Sequence, residues 1–181
     1  MKILVLTKRF YTGKDLLQDE YGRCYEIPKH LERLGHDVTG VCLSYYRDDS
    51  HEVGPLRRDG PPWYTYCLWS WGRRSILRWR RDLLTMARQS RPDVVIAGSD
   101  AFHVIAGHRL AVALDLPLVV DLYDNFESFQ LTKLPGIRNR FRRSVQAAQG
   151  VIFVGEQLKD RVVEDYSLKA PVTVVCNGIP P

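Results

Sequence analysis

The sequence predicts an α/β fold: a three-layer, doubly wound parallel sheet of about seven strands with helices on both faces. Short apolar runs alternate with helix-period stretches along the whole chain, the pattern of repeated βαβ units. The runs, such as Lys2-Ile3-Leu4-Val5-Leu6-Thr7, lack polar alternation, as strands covered on both faces do. Gly and Pro punctuate the joints, at Gly35, Pro92, Gly98, Pro117, Gly150 and Pro171.

Residues 2–7 form the first strand, and a polar loop over residues 8–19 follows, containing Gly13 and Lys14. Tyr21, Cys24, Ile27, Leu31 and Leu34 recur at helical spacing and predict a helix over residues 20–34. Pro28 lacks a backbone donor and is expected to kink or restart it. Gly35 suits the position just past a helix end, and residues 38–43 return as a strand. Residues 45–62, rich in Gly, Pro and Asp, read as a surface loop before a strand over 63–68. A basic helix over 75–89 has Ile76, Trp79, Leu83, Met86 and Ala87 as its inner stripe. Strand 94–97 leads through Gly98-Ser99-Asp100 into a helix over 102–114, with Ile105, Ala106, Leu110 and Ala113 facing in.

Strand 118–121 ends at a run of acids, Asp121, Asp124 and Glu127, and residues 126–136 read as irregular. A second basic helix over 137–148 turns Ile137, Phe141, Val145 and Ala148 inward. Strand 151–154, a helix from Glu156 to about residue 166 and strand 172–176 complete the pattern, with Asn177-Gly178 as a turn. The helix turns Leu158, Val162 and Val163 inward. The expected strand order is 3-2-1-4-5-6-7, within a single domain spanning residues 1–181.

The net charge of +5 is unevenly spread. Residues 73–91 hold Arg73, Arg74, Arg78, Arg80, Arg81, Arg88 and Arg91 against Asp82 alone, and residues 133–143 hold five bases and no acid. Outside those stretches acids outnumber bases, so the basicity marks surfaces rather than the whole chain. Trp69, Trp71 and Trp79 interleave with the first patch. Two readings stand: solvated helix faces, or an anionic membrane surface met by residues 69–91 and 137–143. No nucleic-acid motif accompanies the charge.

Several chemistries lack their motifs. The first turn has no GxGxxG, and there is no GxxxxGK[ST], GxSxG or HExxH. Cys24, Cys42, Cys67 and Cys176 form no CxxC pair, and the last three fall in predicted strands, so they read as buried, reduced thiols. No metal site is expected. No apolar run reaches the roughly 20 residues of a membrane span, and the start does not resemble a signal peptide. The expectation is a cytoplasmic protein, peripheral at most to the inner face of a membrane.

The acids carry the first functional pointer. A buried strand does not take unpaired carboxylates into a core, so Asp121, Asp124 and Glu127 are expected at the strand's carboxyl end, facing outward. In open parallel sheets that end is where ligands bind.

Six segments, in order, resemble the amino-terminal domain of GT-B glycosyltransferases, most like the retaining, nucleotide-sugar-dependent family 4. They begin with Met1-Lys2-Ile3-Leu4-Val5-Leu6, Leu31-Glu32-Arg33-Leu34-Gly35-His36-Asp37-Val38-Thr39 and Arg91-Pro92-Asp93-Val94-Val95-Ile96-Ala97. They continue with Leu116-Pro117-Leu118-Val119-Val120-Asp121-Leu122-Tyr123-Asp124, Ala148-Gln149-Gly150-Val151-Ile152-Phe153-Val154-Gly155-Glu156 and Val174-Val175-Cys176-Asn177-Gly178-Ile179. The resemblance implies an acceptor-binding, Rossmann-like domain that works with a donor-binding carboxyl-terminal domain, absent from this sequence, so that the chain alone is inactive. The donor it implies is a UDP- or GDP-sugar, used without metal or other cofactor, and the acceptor a sugar, a lipid-linked molecule or a small molecule.

By the same resemblance Asp121, Tyr123, Asp124, Ser99, Asp100 and His103 line the acceptor cleft, Gly13 and Lys14 face donor phosphates, and Asn177-Gly178 is the hinge. Each has a plainer alternative. Asp124 either accepts acceptor hydroxyls or caps the next segment; Asp121 either lines the cleft or receives backbone N–H groups. Ser99 and Asp100 are expected to cap the following helix, and His103 is cleft-facing or a satisfied surface histidine. Glu127 reads as a solvated or capping acid. Two other function classes remain: a membrane-recruiting or partner-binding half of a two-chain transferase, and a stand-alone nucleotide-binding α/β protein.

Overall fold

The computed structural model describes residues 1–46, 60–67 and 75–178. Chain order is β1 (Lys2–Lys8), β2 (Phe10–Tyr11), β3 (Lys14–Asp15), α1 (Arg23–Arg33), β4 (Asp37–Ser44), β5 (Trp63–Cys67), α2 (Ser75–Ser90) and β6 (Val94–Gly98). There follow α3 (Ala101–Leu114), β7 (Leu118–Leu122), two 3-10 turns at Phe126–Ser128 and Gln130–Lys133, α4 (Ile137–Gln146), β8 (Gly150–Phe153), α5 (Glu156–Tyr166) and β9 (Val172–Val174). The parallel sheet has seven strands in the order β5-β4-β1-β6-β7-β8-β9, the expected doubly wound arrangement. By compactness the chain falls into two units, Met1–Val94 and Val95–Pro181.

In the first unit, β1 and β4 pair in register from Lys2↔Asp37 to Lys8↔Leu43. Ile3, Leu4, Val5 and Leu6 are all buried, which explains their unbroken apolarity. β4 accepts β5 closely because Gly40 lies opposite Trp63; a Cβ on Gly40 would sit 2.2 Å from the indole. The segment before β6 is tied back by Asp93, whose N–H donates to the Lys2 carbonyl at 2.8 Å while its carboxylate accepts from the Lys2 N–H at 2.7 Å.

α1 ends as the sequence proposes. Gly35 adopts φ 88°, its N–H donates to Glu32 O and that of His36 to Leu31 O, closing a Schellman motif. The helix runs unbroken through Pro28, which does not restart it; one missing donor is tolerated with the ring buried.

Other expectations need correction. Residues 8–19 are not a plain loop: β2 and β3 pair antiparallel as a two-residue hairpin, Phe10↔Asp15 and Tyr11↔Lys14. Residues 126–136 contain the two 3-10 turns. In α2, Trp79, Leu83 and Ala87 are buried but Ile76 is 43% exposed, because it lies at the helix start. In α3, Ala101, Val104, Gly107, Leu110 and Ala111 face in and Ala113 faces out; the helix is apolar nearly all round, so its phase was not readable. Cys42 is buried, but β9 ends at Val174, leaving Cys176 exposed beyond it. Residues 47–59, most of the expected surface loop over 45–62, and Trp69, Trp71, Arg73 and Arg74 lie outside the described residues.

Candidate functional site

The second unit builds its polar cluster at the carboxyl ends of β6 and β7. β6 is buried throughout and ends at Gly98, opposite Asp121. A Cβ there would stand 2.9 Å from the Asp121 carbonyl oxygen, so glycine is what lets the two strand ends approach. Ser99 then turns the chain with φ 77°, left-handed for a non-glycine residue, and is fully buried. Such a conformation persists only where its surroundings fix it. Here the Tyr123 hydroxyl, from just past β7, donates to the Ser99 carbonyl at 2.9 Å. Phe126 supports the Tyr123 ring edge-on at 5.2 Å.

Asp100 is the N-cap of α3, as anticipated, its Oδ1 accepting from the His103 N–H at 3.0 Å. The same oxygen meets His103 Nδ1 at 2.8 Å. His103 is 1% exposed, so it is not a surface histidine. Capping and imidazole orientation thus share one carboxylate oxygen.

The three acids behave differently from one another. Asp121 is buried at 6% exposure, which corrects the view that all three face outward: β7 runs one residue further than expected, to Leu122, and keeps Asp121 inside the strand. Asp124 is exposed and accepts from the adjacent Asn125 N–H at 2.6 Å, leaving its carboxylate at the strand's mouth. Glu127 is neither solvated nor a cap. It accepts from Arg138 Nε at 2.9 Å, from Arg142 through both Nε and Nη2, and from the Tyr166 hydroxyl at 2.6 Å. Burial pushes its carboxyl up, but the hydrogen bonds from Arg142, Tyr166 and Arg138 outweigh it and bring the pKa down to about 2. Tyr166, by burial first and then by donating to Glu127, is pushed well above the usual phenol range. The Arg142 guanidinium also lies 4.9 Å from the centre of the Tyr166 ring. This clamp was missed because its members are eleven, fifteen and thirty-nine residues from Glu127.

In the first unit the segment after β1 is a built structure. Arg9 and Asp15, with side chains 4% and 8% exposed, form a 2.9 Å ion pair. The other Asp15 oxygen accepts from the N–H groups of Leu17 and Gln18, so the buried carboxylate is held on both sides. Thr12 and Gly13, with φ 51° and 77°, make the two-residue turn, a type I′ pattern that explains Gly13. Gly13 and Lys14 are both exposed at its tip. Asn177 and Gly178 are exposed beyond β9. Among the described residues, no cluster of His, Cys, Asp or Glu has the grouping of a metal site.

Polar residues gathered at the carboxyl ends of the strands of a doubly wound sheet stand where open α/β sheets bind ligands. Residues 23–181 match Glycosyltransferase Family 4, and the chain belongs to that family. No curated protein matches it. Among solved structures it is similar to sucrose-phosphate synthase from Thermosynechococcus elongatus, at TM-score 0.69 and 8% identity, over 97% of this chain and 47% of that one. It is similar to HepE from Anabaena in complex with UDP and glucose, at TM-score 0.61 and 21% identity, over 99% of this chain and 45% of that one. UDP-GlcNAc 2-epimerase from Methanocaldococcus jannaschii matches at TM-score 0.64 and 14% identity, over 97% of this chain and 45% of that one. The chain spans just under half the length of each of these three. At such identities the likeness establishes the fold.

Proposed function

We propose that this chain is the acceptor-side domain of a retaining glycosyltransferase that moves a sugar from a UDP- or GDP-sugar donor. The observation that carries the reading is the convergence at the ends of β6 and β7, in a family 4 chain, of Ser99, Asp100, His103, Asp121, Tyr123 and Asp124. Asp124 presents an exposed carboxylate that can accept two hydroxyl hydrogen bonds from a sugar. Tyr123 and Ser99 hold the wall beside it, and Asp100 fixes the His103 ring. Asp121, buried and in register with Gly98, belongs to the same pair of strand ends. Gly13 and Lys14, at the tip of the β2–β3 turn, meet donor phosphate, and Asn177-Gly178 is the hinge to a donor-binding domain. No side chain of this domain is assigned as a nucleophile; its work is to bind and orient the acceptor, so the chain alone does not transfer sugar.

The test is an amide-resolved NMR titration of this chain with methyl α-glucopyranoside and methyl α-mannopyranoside, then with UDP-glucose and GDP-mannose. Glycosides are expected to shift the amides of Ser99, Tyr123 and Asp124 at millimolar concentration, with nucleotide sugars binding no more tightly. Micromolar binding of a nucleotide sugar by this chain alone, with no response to glycosides, would replace the reading by that of a stand-alone nucleotide-binding protein.

A further inference from the structure

The two basic stretches are not equivalent once folded. In α4, Arg138 and Arg142 are committed to Glu127. In α2 the distribution differs. Trp79, Leu83 and Ala87 point into the protein, while Leu77, Arg81, Leu84 and Arg88, at spacings of four, three and four, follow one line along the helix. Arg80 stands beside that line, three residues from Leu77 and four from Leu84. Asp82, the sole acid of α2, lies on the other flank, where Arg78 meets it at 3.6 Å and Arg81 at 3.3 Å. Arg80, Arg81 and Arg88 are exposed, and Leu77 is 66% exposed among them.

We propose that this flank of α2 docks on a bilayer surface bearing anionic phospholipids. Charge selects the partner's sign: Arg80 and Arg88 are exposed on a face to which α2 itself adds no carboxylate, and Arg81 between them reaches aside to Asp82. Leu77 selects its kind, since an exposed aliphatic side chain beside guanidinium groups has an apolar layer to enter at a membrane and none along a nucleic acid backbone. The helix would lie flat on the surface, with arginines at phosphate level and Leu77 at the acyl boundary. No helix among the described residues is long and apolar enough to cross a membrane, so this contact is peripheral. The inference stands apart from the sugar-binding reading and does not depend on it.

Vesicle flotation tests it, with liposomes of phosphatidylcholine alone or with about 30% phosphatidylglycerol at low and high salt. Each arginine near an anionic surface is worth roughly fivefold in partitioning. R80E/R88E should therefore reduce retention by at least about 25-fold. L77N should reduce it several-fold at unchanged charge, and R33E/K169E, the same net change placed on exposed residues elsewhere, should leave most of it. Thermal melts of each variant check that it is folded. The proposal is overturned by no retention on anionic vesicles, by equal loss with R33E/K169E, or by retention insensitive to L77N. It is equally overturned if a DNA or RNA oligonucleotide displaces the chain from vesicles at stoichiometric concentration.

Discussion

The hydroxyl of Tyr123 donates to the carbonyl of Ser99 at 2.9 Å, and so the residue with the least favourable backbone in the site is held by a side chain from the neighbouring strand end. Tyr123→Phe keeps the ring contact with Phe126 and strips a buried carbonyl of this donor. It should cost about 1–3 kcal/mol. The measurement is the urea midpoint at unchanged slope, and a shift below a few tenths would show that Ser99 needs no such restraint.

Gly98→Ala places a methyl group against the Asp121 carbonyl, where a Cβ would be 2.9 Å away. Backbone cannot yield as a flexible side chain does, so β6 and β7 must part slightly. A loss of about 1–3 kcal/mol is expected, together with displaced amide resonances at Ser99 and Asp121.

Glu127 gives a pH signature. Its folded pKa of about 2 lies below the ordinary 4.5, so the folded state binds fewer protons than the unfolded one between those values. The stabilisation is fully present above about pH 4.5 and is lost as pH falls towards 2. Glu127→Gln should lower stability at neutral pH, and the gap between variant and parent should close on acidification. Parallel denaturation curves from pH 7 to 3 decide it; a gap that widens would contradict the assignment.

Arg9 and Asp15 make a buried pair whose members are worth most together. Asp15→Asn takes a carboxylate away from the buried Arg9 guanidinium and should cost about 3–5 kcal/mol. Replacing both, Arg9→Met with Asp15→Asn, should cost less than the two single changes summed. A double-mutant cycle in urea measures the coupling, and simple additivity would refute it.

Asp124 separates function from folding. It is exposed, and its carboxylate accepts from the neighbouring Asn125 N–H, its one side-chain hydrogen bond among the described residues, so Asp124→Ala should change stability by no more than about 0.5 kcal/mol. Its dissociation constant for methyl glycosides should nonetheless rise roughly tenfold, the loss of one hydrogen bond to a charged group. Unaltered glycoside shifts would remove Asp124 from the site.

The sheet was legible because its strands are short runs such as Val94-Val95-Ile96-Ala97, bounded by Pro92 and Gly98, and because one crossover hand leaves few orders to choose among. The helix cap at Asp100 and the helix stop at Gly35 were legible for the same local reasons. What escaped was decided at a distance or by one residue. β2 and β3 are too short to show a period. Asp121 turned inward because its strand ran on to Leu122, and the left-handed serine has no signature in composition. Glu127 looked idle because nothing near it in sequence announces Arg142 or Tyr166.

The clamp at Glu127 also sets an order of events. The segment leaving β7 is fastened at Glu127 by groups that follow it by eleven, fifteen and thirty-nine residues. Contacts of long sequence separation form late, after loop closure has been met by other interactions. On the ribosome, where the chain emerges amino-terminal end first, the strand carrying Asp121 can pair before Tyr166 has been synthesised. The turn that follows Asp124 is therefore fastened in two stages, first by Arg138 and Arg142 and only then by Tyr166.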